Sequence, residues 1–309
     1  MKITVLGSGT SQGVPVIGCE CYVCTSADAK DYRRRCSILV EKDNSTIVID
    51  TGPDFREQML RAKVMKLDAV VFTHEHKDHV AGLDDIRAFN FMNKGKEMEV
   101  FATERVQIAL KREFEYVFAE NKYPGVPEIH LNTINDEPFT AAGIQLQPIN
   151  VMHYKLPVKC FRIDNFAYVT DANYIDEEEK KKLIGLDTLI INALRKETHI
   201  SHFNLEEALE LIEELKPKKV FLHFDPNDVF GATYFIKLKH IAYFINASDH
   251  LFWIGKNCFN TIIDFRKYGY WFTRSIRKIN NVNHIVLPFY PILPKENFRD
   301  EKIIPKTRI

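Results

Sequence analysis

Apolar and polar residues alternate along the first 224 positions with two different periods. Short runs rich in Val and Ile that end at Gly, Asp or Asn are typical of strands. The continuous apolar run in "LDAVVFT" predicts a strand that is covered on both faces. The predicted strands are MKITVLGSG, CSILVEK, STIVIDTG, LDAVVFT, IQLQPINVMHY, CFRIDNFAYVTD, DTLIINAL and PKKVFLHF.

Other segments place apolar residues three or four positions apart, which is the helical period. Pro53 is suited to a helix start, and Asn204 is suited to the N-cap of the clearest amphipathic helix. The predicted helices are PDFREQMLRAKV, HVAGLDDIRAFNFM, TERVQIALKREFEYVFAEN and NLEEALELIEEL. Because strands arrive in series with helices between some of them, the sequence predicts a mixed α/β layer structure.

Length, charge and cysteine content limit the classes of protein to which this chain can belong. The chain has 309 residues, of which 45% are hydrophobic, so it can bury a sizeable core. Lys+Arg and Asp+Glu both total 42, so overall charge does not argue for nucleic acid or an anionic membrane. No uncharged apolar stretch of about 18 residues predicts a membrane span, and the start has no signal-peptide pattern. With six cysteines, three of them crowded together, we expect a cytoplasmic protein with a metal site and no disulfide framework.

The segment "THEHKDH" follows the predicted buried strand and concentrates ionisable groups. His74 and His76 share a face if the backbone is extended, and Asp78 and His79 follow where a helix begins. Imidazole nitrogens and a carboxylate oxygen are ligands for zinc, manganese or iron. The alternative, a polar loop with coincidental histidines, is poor for three histidines, a glutamate and an aspartate in six positions. The segment therefore predicts a metal site.

Further candidate ligands stand at the ends of predicted strands. His153 follows "QLQPINVM", Asp171 follows "FAYVT" and His223 follows "KKVFL". His202 lies just before the amphipathic helix. Each alone would more often be an ordinary surface or core residue. As a set they recur at strand ends, where loops carry functional sites on a rigid scaffold.

The pattern HxHxDH, formed by His74, His76, Asp78 and His79, resembles the signature of the metallo-β-lactamase superfamily. The resemblance continues with Asp50, His153 and Asp171. It implies a four-layer αββα sandwich over residues 1 to about 224. Within the superfamily, "GSGTSQGVPVIGCECYVC" and "SHFNLEEALELI" are similar to segments of the phosphoribosyl cyclic-phosphate phosphodiesterases of the carbon–phosphorus lyase pathway.

This resemblance implies a metal-dependent hydrolase that cleaves small, cyclic phosphodiesters by attack of a metal-bound hydroxide. Two divalent ions, Zn or Mn, are expected, and catalysis is expected to depend on Asp78 and on His202 as proton donor to the leaving oxygen. Asp171 would bridge the ions, and a small-molecule phosphodiester is the expected partner. The implied metal ligands are His74, His76 and His153 for the first ion, Asp78 and His79 for the second, and His223 as the seventh ligand.

Alternatives stay open. His202 could merely cap the following helix. The chain could be a nuclease of the superfamily that acts on RNA, although nucleic acid is not the favoured partner, or a catalytically impaired metal-binding protein. Impairment is an option because His223 stands one position earlier than in the related strand, and a one-residue slip turns a side chain to the opposite face. No membrane partner is expected, and a homodimer remains open.

Cys19, Cys21 and Cys24 match the C-x-C-x-x-C loop that holds a structural zinc in the related phosphodiesterases. Tetrahedral zinc needs a fourth ligand, which in that family is a histidine three residues beyond the last catalytic one. Here that position is Pro226. Asp225, Asp228 or a distant histidine could substitute, and three reduced cysteines without metal are the alternative.

Beyond Phe224 the resemblance stops, and residues 225–309 form a tail of uncertain structure. It holds 13 Lys/Arg and 7 Asp/Glu, which leaves 29 and 35 for the first 224 residues. One interpretation is an added module with a basic, aromatic surface for nucleic acid or another partner. The other, which we favour, is a tail without selected function that replaces the family's closing segment after a shifted reading frame. The composition changes inside a motif, whereas natural domain boundaries favour linkers.

Overall fold

A computed structural model describes residues 1–28 and 31–218, the strands at 220–222, 242–246, 261–264 and 283–286, and residue 274. The chain divides into two compact units, Met1–Lys218 and Lys219–Ile309. Each unit has its own sheet structure. In the described part of the chain, no helix is long and apolar enough to cross a membrane.

The first sheet has six strands in chain order. Neighbours pair antiparallel among the first three strands and parallel from the third to the sixth. Asp43 and Asn44 join the second and third strands, and both have positive φ, as a tight hairpin turn requires. The strands are β1 (Lys2–Gly7), β2 (Ser37–Lys42), β3 (Ser45–Ile49), β4 (Ala69–Val71), β5 (Met98–Ala102) and β6 (Ile129–Thr133).

The second sheet of this unit is mostly antiparallel. Its strands are β7 (Phe139–Ala141), β8 (Ile144–His153), β9 (Leu156–Ile163), β10 (Phe166–Val169), β11 (Tyr174–Ile175) and β12 (Thr188–Ile191). Their order is β11-β8-β9-β10-β12, and β7 also pairs with β8. The pair β10–β12 is parallel.

Helices α1 to α7 connect these strands. They are α1 (Phe55–Ala62), α2 (Lys77–Val80), α3 (Arg87–Met92), α4 (Glu104–Glu113), α5 (Glu115–Phe118), α6 (Glu177–Lys181) and α7 (Leu205–Leu215), with a short 3₁₀ helix at Leu83–Ile86. Pro53 lies just before the Asp54 N-cap of α1, two positions before the first helical residue, Phe55.

Alternation along the first sheet explains why both of its faces are covered. Ile47 and Ile49 point into a core shared with Phe161 of the second sheet. Val48, between them, points into a core shared with Phe55 of α1, because successive side chains in a strand face opposite sides. On the second sheet, α6 lies against β8, where the Glu179 carboxylate accepts a hydrogen bond from the Asn150 backbone. The order helix, sheet, sheet, helix confirms the predicted αββα fold.

Two segments predicted as single helices are interrupted. HVAGLDDIRAFNFM becomes α2, the 3₁₀ helix and α3. At this break the Gly82 N–H donates to the carbonyl of Thr51, outside the helix (2.7 Å). The other predicted helix divides into α4 and α5 at Phe114, whose φ of −121° and ψ of 44° are not helical.

The second unit contains a parallel four-stranded sheet. Its strands are β13 (Val220–Leu222), β14 (Ala242–Asn246), β15 (Thr261–Asp264) and β16 (Asn283–Val286), in chain order. The sequence predicts β13 as the end of the hydrolase-like region. The boundary at residue 224 and the nature of the tail stay predictions, because most of residues 225–309 lie outside the described part.

Candidate metal centre

Loops at the ends of strands from both sheets carry the candidate ligands. The loop after β4 carries His74 and His76, and α2 carries Asp78 and His79. His153 ends β8, and Asp171 stands two residues after the end of β10. His76 has extended backbone (φ −63°, ψ 147°) at the N-cap position of α2, so the chain turns from strand to helix inside the motif.

Two glycines let α2 approach the loop after β3. A Cβ atom on Gly52 would lie 2.0 Å from the carbonyl oxygen of Asp78, and a Cβ on Gly82 would lie 2.1 Å from the carbonyl oxygen of Gly52. The Thr51 N–H donates to the carbonyl of His79 (2.8 Å). This close contact requires glycine at both positions and holds α2 beside the end of β3.

Asp50 directly follows β3 and is fully buried. Its carboxylate accepts hydrogen bonds from the Thr73 N–H (2.9 Å), the Thr73 hydroxyl (2.8 Å) and Nδ1 of His79 (2.7 Å). The last contact occupies Nδ1, so Nε2 is the nitrogen of His79 that is available to a metal. A carboxylate that fixes the orientation of a histidine in this way is typical of metal sites.

Asp171 lies at the centre of the cluster and is 8% exposed. Its Oδ2 lies 3.3 Å from Nε2 of His79, 3.6 Å from Nε2 of His74 and 3.7 Å from Nε2 of His202. The Thr170 hydroxyl donates to the other carboxylate oxygen (3.0 Å). One carboxylate oxygen therefore faces three imidazoles.

The structure brings all the predicted catalytic and metal-ligating residues of the first unit together. They form three overlapping sets whose ligand atoms lie within 4.8 Å of one another, and Asp171 belongs to every set. The sets are His74, His76 and Asp171; Asp78, His79 and Asp171; and His153, Asp171 and His202. His223 lies outside the described residues, so its role stays a prediction.

The cluster fits divalent metal ions. His74 is fully buried, and its Nε2 has no hydrogen-bond partner in the described residues, which a buried polar nitrogen avoids unless another ligand satisfies it. Burial lowers the pKa of His74 well below its ordinary value and lowers the pKa of His153. Burial works to raise the pKa of Asp171, but the imidazoles of His202 and His79 hold that pKa well below its usual range. Neutral imidazoles and ionised carboxylates are the forms that bind metal.

The surroundings of His79 favour a positive charge in the cluster. Burial works to lower the pKa of His79, but Asp50, together with Asp171 and Asp78, raises that pKa well above its ordinary value. The three carboxylates thus favour a positive charge at His79. A divalent ion at Nε2 would supply positive charge there in place of a proton.

His202 does not cap α7. The side chain of Asn204 accepts from the Glu207 N–H (2.9 Å), and the Glu207 carboxylate accepts from the Asn204 N–H (2.8 Å), so a capping box occupies that position. Nδ1 of His202 lies 3.1 Å from the Ser201 hydroxyl and 3.3 Å from Nδ1 of His199. Its Nε2 therefore faces the cluster, which removes helix capping as the explanation for this histidine.

His153 is also oriented through its second ring nitrogen. Its Nδ1–H donates to the carbonyl of Ser201 (2.7 Å), so Nε2 is the nitrogen available to a metal. The centroids of the His153 ring and the His76 ring are 5.2 Å apart. The loop that carries His202 and the end of β8 are thus joined beside the cluster.

Cys19, Cys21 and Cys24 form a separate group, with their sulfur atoms within 4.8 Å of one another. Hydrogen bonds from the Cys24 backbone and from the neighbouring thiols lower the pKa of Cys21 to about 7. The Val16 N–H donates to the sulfur of Cys24 (3.4 Å). The proposed substitutes Asp225 and Asp228 lie outside the described residues, so the fourth ligand stays open.

Sequence reasoning assigned no role to Asp50 or Thr73. The resemblance includes Asp50 without giving it a role, and its contact with His79 spans 29 residues. Thr73 precedes the first histidine of the motif, and its hydroxyl lies 3.0 Å from Nδ1 of His74. No local spacing in the sequence reveals either contact.

Residues 45–224 match the family described as Beta-lactamase superfamily domain. The chain belongs to this family, with the metallo-β-lactamase fold. It is similar to a protein of Porphyromonas gingivalis named octanoyltransferase, with 41% identity over 227 residues. That alignment covers 72% of this chain and 46% of the relative, so the chain spans less than half the length of this curated relative.

Solved structures share the fold, and two of them differ in their similarity to this chain. One is titled a new diphosphatase from the PhnP family, with 38% identity, a TM-score of 0.65, and coverage of 70% of this chain and 83% of that chain. The other is the short form of human tRNase Z, with 14% identity, a TM-score of 0.51, and coverage of 71% and 90%. At that identity the second structure supports the fold alone. The superfamily fold generally binds divalent metals, and the His/Asp clusters described above supply suitable ligands.

Proposed function

We propose that the protein is a metal-dependent hydrolase of small phosphodiesters, including cyclic ones. The observation that carries this proposal is the single carboxylate of Asp171, shared by three sets of candidate ligands. A shared carboxylate would suit a pair of divalent ions. The similar structure titled a diphosphatase also supports cleavage of a bond to phosphorus.

Different residues of the chain would hold the two ions. His74, His76 and His153 would hold one ion, Asp78 and His79 the other, and Asp171 both. Bound there, divalent ions would lower the pKa of a coordinated water and neutralise charge on the phosphoryl oxygens. Asp50 would keep His79 oriented through the hydrogen bond at Nδ1.

His202 would act as the general acid. Its Nε2 faces the cluster 3.7 Å from Asp171, and its side chain is partly exposed, so a substrate can reach it. As general acid His202 would be an imidazolium, with Nδ1–H donating to the Ser201 hydroxyl (3.1 Å) and a second proton on Nε2. From that atom the proton would pass to the departing alkoxide.

The cysteine group would hold one structural zinc. Three clustered sulfurs, one with a pKa lowered to about 7, suit zinc thiolate coordination. Thiols with this role must stay reduced, so the proposal places the protein in a reducing compartment such as the cytoplasm.

The test is hydrolysis by the purified full chain loaded with Mn²⁺ or Zn²⁺. The substrates are a chromogenic phosphodiester, a cyclic phosphodiester, a diphosphate diester and a structured RNA. We expect turnover of the small diesters, its loss in Asp78→Ala, and its retention in Glu75→Gln, an acidic neighbour paired with Arg105. Salt-sensitive cleavage of RNA alone would identify a nuclease instead. Metal binding without turnover of any substrate would identify an impaired protein.

A further inference from the structure

The residue after Asp171 is held by a side chain from another strand. Ala172 is fully buried, so its backbone N–H and carbonyl need partners inside the protein. The Ala172 N–H donates to Oδ1 of Asn192 (3.0 Å), and Nδ2 of Asn192 donates to the Ala172 carbonyl (2.9 Å). Asn192 directly follows β12, and its own N–H donates to the carbonyl of Val169 in β10 (3.2 Å).

The same carbonyl joins this loop to the segment that carries His202. The Phe203 N–H donates to the Ala172 carbonyl (2.7 Å), and the Phe203 carbonyl accepts from the Leu194 N–H (3.0 Å). Ala172 adjoins Asp171, and Phe203 adjoins His202. The Ala172 carbonyl therefore lies one residue from each of the two side chains whose Nε2 and Oδ2 are 3.7 Å apart.

The other end of the loop is tied to the segment around His153. The Asn173 N–H donates to the Met152 carbonyl (2.8 Å), and Oδ1 of Asn173 accepts from the Tyr154 N–H (2.7 Å). His153 in turn donates to the Ser201 carbonyl (2.7 Å). These bonds connect three segments in a ring around the cluster. The segments are the loop after β10, the turn after β8 and the segment that carries His202.

Asp171 itself has a positive φ of 49°. Such a conformation is uncommon for residues other than glycine and persists where the surroundings determine it strongly. The two-point contact from Asn192 to the next residue is one such restraint. It needs an acceptor and a donor on the same planar group, which an asparagine side chain provides.

We propose that Asn192 is a positioning residue for the hydrolysis: its amide fixes the Ala172 peptide groups and thereby sets Asp171 relative to His202. This inference rests on the proposed function. Among the described residues, the hydrogen bonds of the Asn192 side chain go to the Ala172 backbone, so its effect passes through Asp171 and His202.

Two variants separate the halves of this contact. Asn192→Leu removes both hydrogen bonds and keeps the branching of the side chain at Cγ. Asn192→Asp keeps the acceptor for the Ala172 N–H but places a carboxylate oxygen against the Ala172 carbonyl. Asn132→Leu is the matched control, since Asn132 in β6 donates to Glu99 on the first sheet and lies outside the ring.

The experiment measures Co²⁺ affinity by visible absorption, together with kcat, KM and the melting temperature, for the full chain. We expect both Asn192 variants to bind Co²⁺ about 10- to 100-fold more weakly or to lose kcat by that factor, with KM changed less than kcat. The Asn132 control should match the parent protein. Combined with His202→Gln, the kcat loss from Asn192→Leu should be smaller than alone, because coupled residues are not additive.

Unchanged Co²⁺ affinity and kcat in folded Asn192 variants would overturn the inference, as would fully multiplicative losses with His202→Gln. If Asn192→Leu fails to fold, the same measurements on Asn192→Asp decide. A parent protein that binds Co²⁺ but cleaves no phosphodiester would overturn the proposed function. In that case an unchanged Co²⁺ affinity in the variants would still overturn the inference, and a weaker one would support it.

Discussion

Nδ1 of His79 lies 2.7 Å from Oδ2 of Asp50, and both side chains are almost completely buried. The bond joins the end of β3 to α2 and fixes which nitrogen of His79 faces Asp78 and Asp171. Two residues far apart in the chain thus decide the geometry of one set of candidate ligands.

Asp50→Asn should weaken metal binding by about 10- to 100-fold, because it removes the charge that orients His79. Elemental analysis after dialysis against a weak chelator measures the retained metal. Asp164→Asn is the control, since the Asp164 carboxylate pairs with Lys42 at the surface. Equal metal content in the Asp50 variant and the parent would show that this carboxylate does not support the site.

Metal-free protein should lose stability as pH rises above about 6.5, the ordinary pKa of histidine. The folded-state pKa of His79 is raised by Asp50 against the effect of burial. The contribution of His79 to the free energy of unfolding is therefore fully present below its unfolded-state pKa. It is lost as pH rises through its folded-state pKa. The pKa of His74 is lowered, so its contribution to the free energy of unfolding is present above about pH 6.5 and is lost as pH falls. The two histidines therefore change stability in separate pH ranges.

Melting temperatures from pH 6.5 upward test this expectation. The metal-free parent should show a decline that is absent from His79→Gln. Metal-loaded protein should also lack this part of the decline, because the ion replaces the proton. Parallel curves for the metal-free parent and the variant would contradict the expectation.

His202→Gln should lower kcat by about 10²- to 10⁴-fold for a phosphodiester that releases an alkoxide. The loss should be much smaller for a nitrophenyl ester, whose leaving group departs without a proton. Steady-state kinetics on the two substrates give the comparison. His130→Gln, which changes an exposed histidine in β6, should leave both rates unchanged. An equal loss on both substrates would assign His202 to metal or substrate binding instead.

Serine at Cys19, Cys21 and Cys24 together should remove one equivalent of zinc and lower the melting temperature, while the catalytic metals stay bound. Zinc should also protect these thiols from alkylation near neutral pH. Cys36 is an internal control, because burial raises its pKa to about 11 and keeps it unreactive. Identical zinc content in the parent and the triple variant would exclude a metal at this loop.

The HxHxDH cluster is visible in the sequence because its ligands are close in the chain and follow a buried strand. His153 and Asp171 are also visible, as polar residues at strand ends. Asn192 is not visible: in "DTLIINAL" it looks like an ordinary residue after a strand, and its partner Ala172 is 20 residues away. Contacts made by folding cannot be read from local spacing.

The helix prediction failed at Gly82 for a related reason. The apolar period in HVAGLDDIRAFNFM continues through that glycine, so the pattern alone favours one helix. The close contact of Gly82 with the loop after β3 interrupts it, and that contact exists only in the folded chain. The fold class survives such errors because it depends on the order of elements more than on their ends.

The candidate ligands come from both sheets, and this has a consequence for protein abundance. An ion held by α2 and by Asp171 would cross-link the two halves of the sandwich, which otherwise meet through apolar side chains. A free ion concentration about 1,000 times the dissociation constant would add about 4 kcal/mol to the free energy of unfolding. Cells short of metal would therefore hold more of the chain in unfolded, protease-sensitive form. Metal supply would then set how much of the protein survives.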